Sequence, residues 1–191
     1  MAEWPVDRDG VVETVVTTLG PNDRWNVAAL GVKRLETAGP ARARTWGRTR
    51  TWRNFRERAS GYVQFTRDPL DFVDAALAVR EEDEPILDSA DAWVEVRVEA
   101  VATGEDGGTM WTDWNLTPAD SGIEEEVVPT TNRGHAAVIE ATVAASRLDV
   151  DAYDTDTLRR RLDYFERVVE RAGGERERAA IQRVRALTDG W

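Results

Sequence analysis

Seven arginines fall within residues 42–58 (RARTWGRTRTWRNFRER) against one glutamate, a net of +6. The other 174 residues carry −17, so the whole 191-residue chain stands at −11. A cationic island in so acidic a chain asks for an anion. It contains Gly47-Arg48-Thr49-Arg50-Thr51-Trp52-Arg53-Asn54, where the pattern predicts a strand giving way to a helix. The first amides of a helix lack intrahelical partners and lie at the positive end of its dipole, which favours an anion. The Thr49 and Thr51 hydroxyls, the Asn54 amide and the forked donors of Arg50 or Arg53 would complete a phosphate cradle. The same residues also allow a plainer arrangement, with Thr51 as an ordinary helix cap and the arginines paired with carboxylates. The clustering favours the anion, because surface pairing does not require so many arginines in one place.

A second set lies in residues 132–148 (NRGHAAVIEATVAASRL). Arg133, Glu140 and Arg147 are spaced by seven, which drifts only about 20° per step around a helix. The rest of the segment is largely Ala, Val and Ile, so the charged line is either a paired structural network or one wall of a polar site. Asn132 precedes it, and His135, the only histidine, is off the line and reads as a surface or satisfied polar residue. Trp111 with Trp114, and Trp46 with Trp52, read as core, or as flanks for a planar ring. No Walker loop, Gly-x-Gly-x-x-Gly, Gly-x-Ser-x-Gly or metal-ligand spacing occurs.

Composition removes further classes. With no cysteine, a disulfide scaffold, a thiolate metal site and a cysteine nucleophile are excluded. One histidine cannot build a multi-histidine metal cage, so no metal is expected. The negative charge argues against nucleic-acid binding and against an acidic membrane surface. No run is long enough to span a bilayer, and the first residues lack the pattern of a signal peptide, so a soluble cytoplasmic protein is expected. Of 25 basic residues only Lys33 is a lysine. An acidic, lysine-poor surface fits a protein working in concentrated salt, where self-repulsion is screened; an arginine-favouring GC-rich genome is the alternative.

These residues must be positioned by a recognisable run of elements. Residues 10–19 read as a strand, 20–23 as a turn and 26–32 as the returning strand of a hairpin. A break is expected at 37–40, a strand with one wet face over 41–50, a short helix over 51–59 and a strand over 61–66. Asp68-Pro69 opens a further helix. Residues 80–91 read as an acidic loop. Residues 92–101 alternate, with Val94, Val96, Val98 and Ala100 facing one way; a turn at 103–108 leads to a strand at 109–116. Helices follow over 132–148, 155–172 and 175–187. The fold class is therefore mainly β with helices, an α+β arrangement: a small barrel over residues 1–130 and a helical segment over 131–191 packed on it, one structural unit overall.

The ordered set Glu13–Thr18, Asn26-Val27-Ala28-Ala29-Leu30-Gly31-Val32, Thr49–Phe55, Thr66–Phe72, Asn132-Arg133-Gly134, Glu140 and Ser146-Arg147-Leu148 resembles the DUF447 family. That mainly archaeal family belongs to the FMN-binding split β-barrel superfamily, with flavin reductases and pyridoxamine-phosphate-oxidase-like proteins. The resemblance covers residues 10–150 or so. It implies FMN held in a groove between two subunits of a homodimer, with Asn26, Val27 and Ala28 along the flavin ring and Thr49, Arg50, Thr51, Arg53 and Asn54 around the phosphate. Asn132, Arg133, Glu140 and Arg147 would stand behind that first set. No catalytic residue is assigned. The implied activity is flavin-dependent oxidoreduction with a nicotinamide or other electron donor; a non-catalytic flavin carrier and an interaction module that has lost the cofactor are the alternatives. Two departures stand out: Gln64-Phe65-Thr66-Arg67-Asp68-Pro69 lacks the asparagine common in relatives, and Leu30-Gly31-Val32 lacks a preceding Pro-Met.

Overall fold

A computed structural model describes residues 2–35 and 39–191. In chain order its elements are β1 (Arg8–Leu19), β2 (Trp25–Leu35), β3 (Ala41–Trp46), α1 (Arg50–Arg58), β4 (Ser60–Thr66), α2 (Pro69–Leu77), β5 (Arg80–Glu82), β6 (Ala90–Asp106), β7 (Thr109–Ile123), α3 (Arg133–Ala145), α4 (Thr155–Ala172) and α5 (Glu175–Leu187). They divide into two compact units: Met1–Arg67 with Arg80–Val127, and Asp68–Val79 with Val128–Trp191. The α2 segment, which lies between two strands in sequence, thus belongs with the C-terminal helices. Half of the break expected at 37–40, residues 37 and 38, falls outside the described residues.

The first unit is a closed antiparallel barrel. Its strands follow the order β1-β4-β6-β7-β3-β2, and β1 pairs with β2 to complete the ring. Alternation explains the core. Val94, Val96 and Val98 point inward from β6, Ala41 and Ala43 from β3, and Trp114 and Leu116 from β7, all buried. Phe55 reaches in from α1 and meets Trp114 edge-on, with ring centroids 5.3 Å apart. Trp114 Nε1 donates to Thr45 Oγ1 at 2.9 Å, so the buried indole keeps its hydrogen bond.

Several elements differ from the sequence reading. The strand expected over 41–50 stops at Trp46, and Gly47, with φ +69°, turns the chain toward α1. Ala100 is exposed, so the inward row ends at Val98, just before the β6–β7 register shifts between Ala100 and Ala102. The turn expected at 103–108 is only Gly107-Gly108. Both have positive φ, +54° and +78°, the requirement for a tight hairpin. The acidic stretch 80–91 is not all loop: Arg80–Glu82 is β5, paired with Trp25–Val27 of β2.

The second unit packs α2 through α5 around Val73, Ala137, Val138, Ala141, Leu158, Leu162, Val169, Ile181 and Val184. Apolar residues at helical intervals form these stripes, and fully burying each larger side chain contributes about 1.5–3 kcal/mol. Asp68 caps α2 by accepting from the Leu70 and Asp71 amides, as the Asp-Pro signature requires. Gly134 lies so close to Gly173 that a Cβ would sit 2.5 Å from its Cα, so glycine permits this approach. No described helix is long and apolar enough to cross a membrane.

Candidate functional site

The start of α1 meets the start of β2 in the barrel unit. Thr49, not Thr51, caps the helix: its Oγ1 accepts from the Trp52 amide at 3.2 Å. The Arg53 amide bonds the Thr49 carbonyl at 3.1 Å, while the Arg50 and Thr51 amides belong to the first turn and have no intrahelical acceptor. Thr51 is buried, and its Oγ1 accepts from Asn26 Nδ2 at 3.4 Å. That contact ties the first turn of α1 to β2. Val27 is buried beside it, and Ala28 is partly buried.

Asn54 has a different role from the one expected. It is 1% exposed, and its Nδ2 donates to Thr18 Oγ1 at 3.0 Å and to the Thr18 carbonyl at 3.3 Å. Both amide hydrogens are thereby committed to β1, so Asn54 braces the helix against the barrel instead of presenting a donor to an anion. Its Oδ1 is buried with no partner among the described residues.

The arginines of the island separate into two groups. Arg44 forms a bidentate pair with Asp113, at 2.6 and 2.8 Å, and lies 4.0 Å over the Trp111 ring. The hydrogen bond from Arg44 holds the Asp113 carboxyl below its ordinary range. Arg50 pairs with Glu81 at 2.8 Å. Arg48 and Arg56 lie over Trp52, at 5.9 and 4.8 Å from the ring centroid, and Trp52 Nε1 donates to Thr112 Oγ1. Arg53 is exposed and makes no ion pair among the described residues. Near the start of α1, Arg48 and Arg53 are therefore cations without carboxylate partners.

The edge of β2 that faces away from β1 is interrupted. β5 covers it at Trp25–Val27 and β3 covers it at Val32–Lys33. Between them, Ala28–Gly31 has no ladder partner on that side among the described residues. This gap is the split in the barrel. It leaves backbone donors and acceptors open two residues beyond Asn26, beside the start of α1, whose unpaired amides and dipole favour an anion.

The second candidate set lies in the helical unit. Asn132 caps α3, accepting from the Gly134 and His135 amides at 2.8 and 3.4 Å, and its Nδ2 donates to Glu177. Arg133 and Glu140 are exposed. Arg147 lies beyond the end of α3, which stops at Ala145 instead of continuing to Leu148, and stacks over Tyr153 at 5.1 Å. The three charged residues form no ion pairs with one another among the described residues, so they do not make a paired network along that line. His135 is half-buried, and that burial depresses its pKa.

Two residues matter more than their sequence context suggested. Gln64, the departure from the family pattern, is wholly buried. Its Nε2 donates to Thr17 Oγ1 and the Pro85 carbonyl, and its Oε1 accepts from the Leu87 amide at 2.7 Å. It fastens the segment after β5 to the barrel. Glu81, on β5, receives Arg50 and also Asn22 Nδ2, the latter at 3.1 Å. The Ile86-Leu87 pair inside an acidic run was the available signal that this stretch is anchored.

A closed antiparallel barrel, split along β2 and bearing a cationic helix start at the split, defines a split β-barrel protein. Residues 12–125 match the model of the DUF447 N-terminal domain and residues 132–186 that of the DUF447 C-terminal region, both described as of unknown function. The chain belongs to the DUF447 family. It is similar to an FMN-bound protein of that family from Methanosarcina mazei, with a TM-score of 0.78, 22% identity, and coverage of 95% of this chain and 96% of that one. Looser likenesses include the styrene monooxygenase flavin reductase of Pseudomonas putida S12 (TM-score 0.41, 13% identity, 60% of this chain and 79% of that one). Another is an FMN-binding protein from Thermus thermophilus (TM-score 0.41, 15% identity, 59% and 71%). No curated protein matches the chain.

Proposed function

We propose that the barrel unit binds FMN, with the phosphate at the start of α1 and the ring along the open edge of β2. The observation that carries this reading is the junction itself. Asn26 joins Thr51 at 3.4 Å, and the unpaired stretch Ala28–Gly31 begins two residues further along the same strand. The free Arg50 and Thr51 amides, with Arg48 and Arg53, offer donors suited to a phosphate. The strand edge offers alternating backbone donors and acceptors suited to a heteroaromatic ring. The FMN-bound relative from Methanosarcina mazei supports FMN as the ligand.

Bound FMN would supply the redox chemistry, and the protein would supply position and electrostatics. Asn26 and Asn54 hold α1 against the barrel, so the anion-binding amides keep a fixed direction. The protein acts as a homodimer in flavin-dependent oxidoreduction, with a nicotinamide or other reductant as electron donor. Its acidic, lysine-poor composition suits concentrated salt, where the screening length falls to about 3 Å at 1 M. Under that screening, short-range donors at the junction matter more than long-range attraction.

Purified protein is expected to carry visible flavin absorbance, to sediment as a dimer and to bleach on anaerobic mixing with NADH or NADPH. Absorbance without bleaching by any nicotinamide supports a flavin carrier instead. A colourless protein that takes up no added FMN contradicts the reading.

A further inference from the structure

We infer that Glu81 sets how strongly the junction takes a phosphate, and hence how far the site prefers FMN to riboflavin; this rests on the flavin reading above. β5 places Glu81 opposite Asn26, the residue that bonds Thr51 in the first turn of α1. From there its carboxylate bonds Arg50, the first residue of α1, at 2.8 Å and Asn22 at 3.1 Å, with its side chain 27% exposed. A carboxylate in this place does two things. It neutralises one of the three arginines nearest the helix start, and it repels an anion brought to the neighbouring first-turn amides of α1.

The charge is not needed to hold β5. Three backbone pairings with β2, the Arg24–Asp83 pair and a bond from Arg24 to the Glu81 carbonyl fasten the same segment. A neutral amide at position 81 would keep the size and shape of the side chain and one carbonyl acceptor for Arg50, giving up only the exposed bond from Asn22. What the carboxylate adds is selectivity. An anion that brings only a phosphate must overcome Glu81 with few other contacts. A flavin phosphate also brings a ring to the open edge of β2. Glu81 therefore lowers occupancy by free phosphate and makes binding depend on both parts of the ligand.

The test is Glu81→Gln, which keeps the shape and the acceptor for Arg50 but removes the charge, compared with Glu82→Gln, whose carboxylate pairs with Arg80. FMN, riboflavin and inorganic phosphate are titrated against each protein at low and high salt, with melting curves to confirm the fold. For Glu81→Gln we expect FMN to bind at least about threefold tighter at low salt, phosphate to compete better, and riboflavin to be unchanged. The gain should shrink at high salt and be absent in Glu82→Gln. If FMN and riboflavin weaken together, Glu81 is a structural brace and the inference is wrong; it is also wrong if neither affinity moves or if Glu82→Gln gives the same gain. Failure of the unaltered protein to bind either flavin overturns the flavin reading itself.

Discussion

The two units of this chain bury different kinds of side chain. Of ten buried polar residues among the described ones, nine lie in the barrel unit: Thr14, Thr17, Thr18, Asn26, Thr45, Thr51, Asn54, Gln64 and Thr112. The helical unit buries only Thr142, whose hydroxyl bonds the Val138 carbonyl of its own helix. Buried polar groups are costly unless bonded, so such a concentration needs a reason. In the barrel they connect elements distant in sequence: Asn54 to Thr18, Asn26 to Thr51, Gln64 to Leu87. They fix α1 and β5 around the split in β2. The helical unit is held by apolar packing, and the barrel adds a polar frame where a ligand would sit.

That contrast yields graded expectations. Leu162→Ala, at a wholly buried position of the helical core, should cost about 3 kcal/mol in urea unfolding and leave FMN affinity under native conditions unchanged. A parallel loss of flavin affinity would break the division of labour. Gln64→Leu should cost about 2 kcal/mol by stranding the buried Leu87 amide, while Pro85 keeps its bond from the Thr17 hydroxyl, and should speed hydrogen exchange at Leu87. Unchanged exchange there would show that Gln64 does not fasten the segment after β5.

The smallest effect concerns pH. Burial places the folded pKa of His135 below its unfolded value of about 6.5. A histidine depressed in this way stabilises the fold fully above the unfolded pKa. That contribution is lost as pH falls through 6.5 toward the folded value, because the unfolded chain takes up the proton first. With a single histidine in the chain, His135→Gln should flatten the stability profile just below pH 6.5. A slope that survives the substitution would assign it to other groups.

The same contrast explains what could be read from sequence. The helices α4 and α5 run over the expected residues because an apolar stripe such as Leu158, Leu162 and Val169 is a local pattern. The hairpin of β1 and β2 was equally local, whereas the helix expected over 51–59 starts at Arg50 with Thr49, not Thr51, as its cap. β5 was hidden because Arg80-Glu81-Glu82 has no strand signature of its own and becomes a strand only by pairing with β2. The bracing contact of Asn54 was hidden because its partner, Thr18, lies 36 residues away. The helix expected to carry Arg133, Glu140 and Arg147 on one face ends at Ala145, which leaves Arg147 beyond it.

The central claim is that the anion-binding start of α1 and the open edge of β2 form one flavin site. Calorimetric titration of FMN and riboflavin against the unaltered protein tests it most directly, because the two ligands share the ring and differ in the phosphate. We predict that both bind and that FMN binds at least about tenfold tighter, equivalent to roughly 1.4 kcal/mol. Equal affinities would remove the phosphate from α1, and binding of neither would contradict the account.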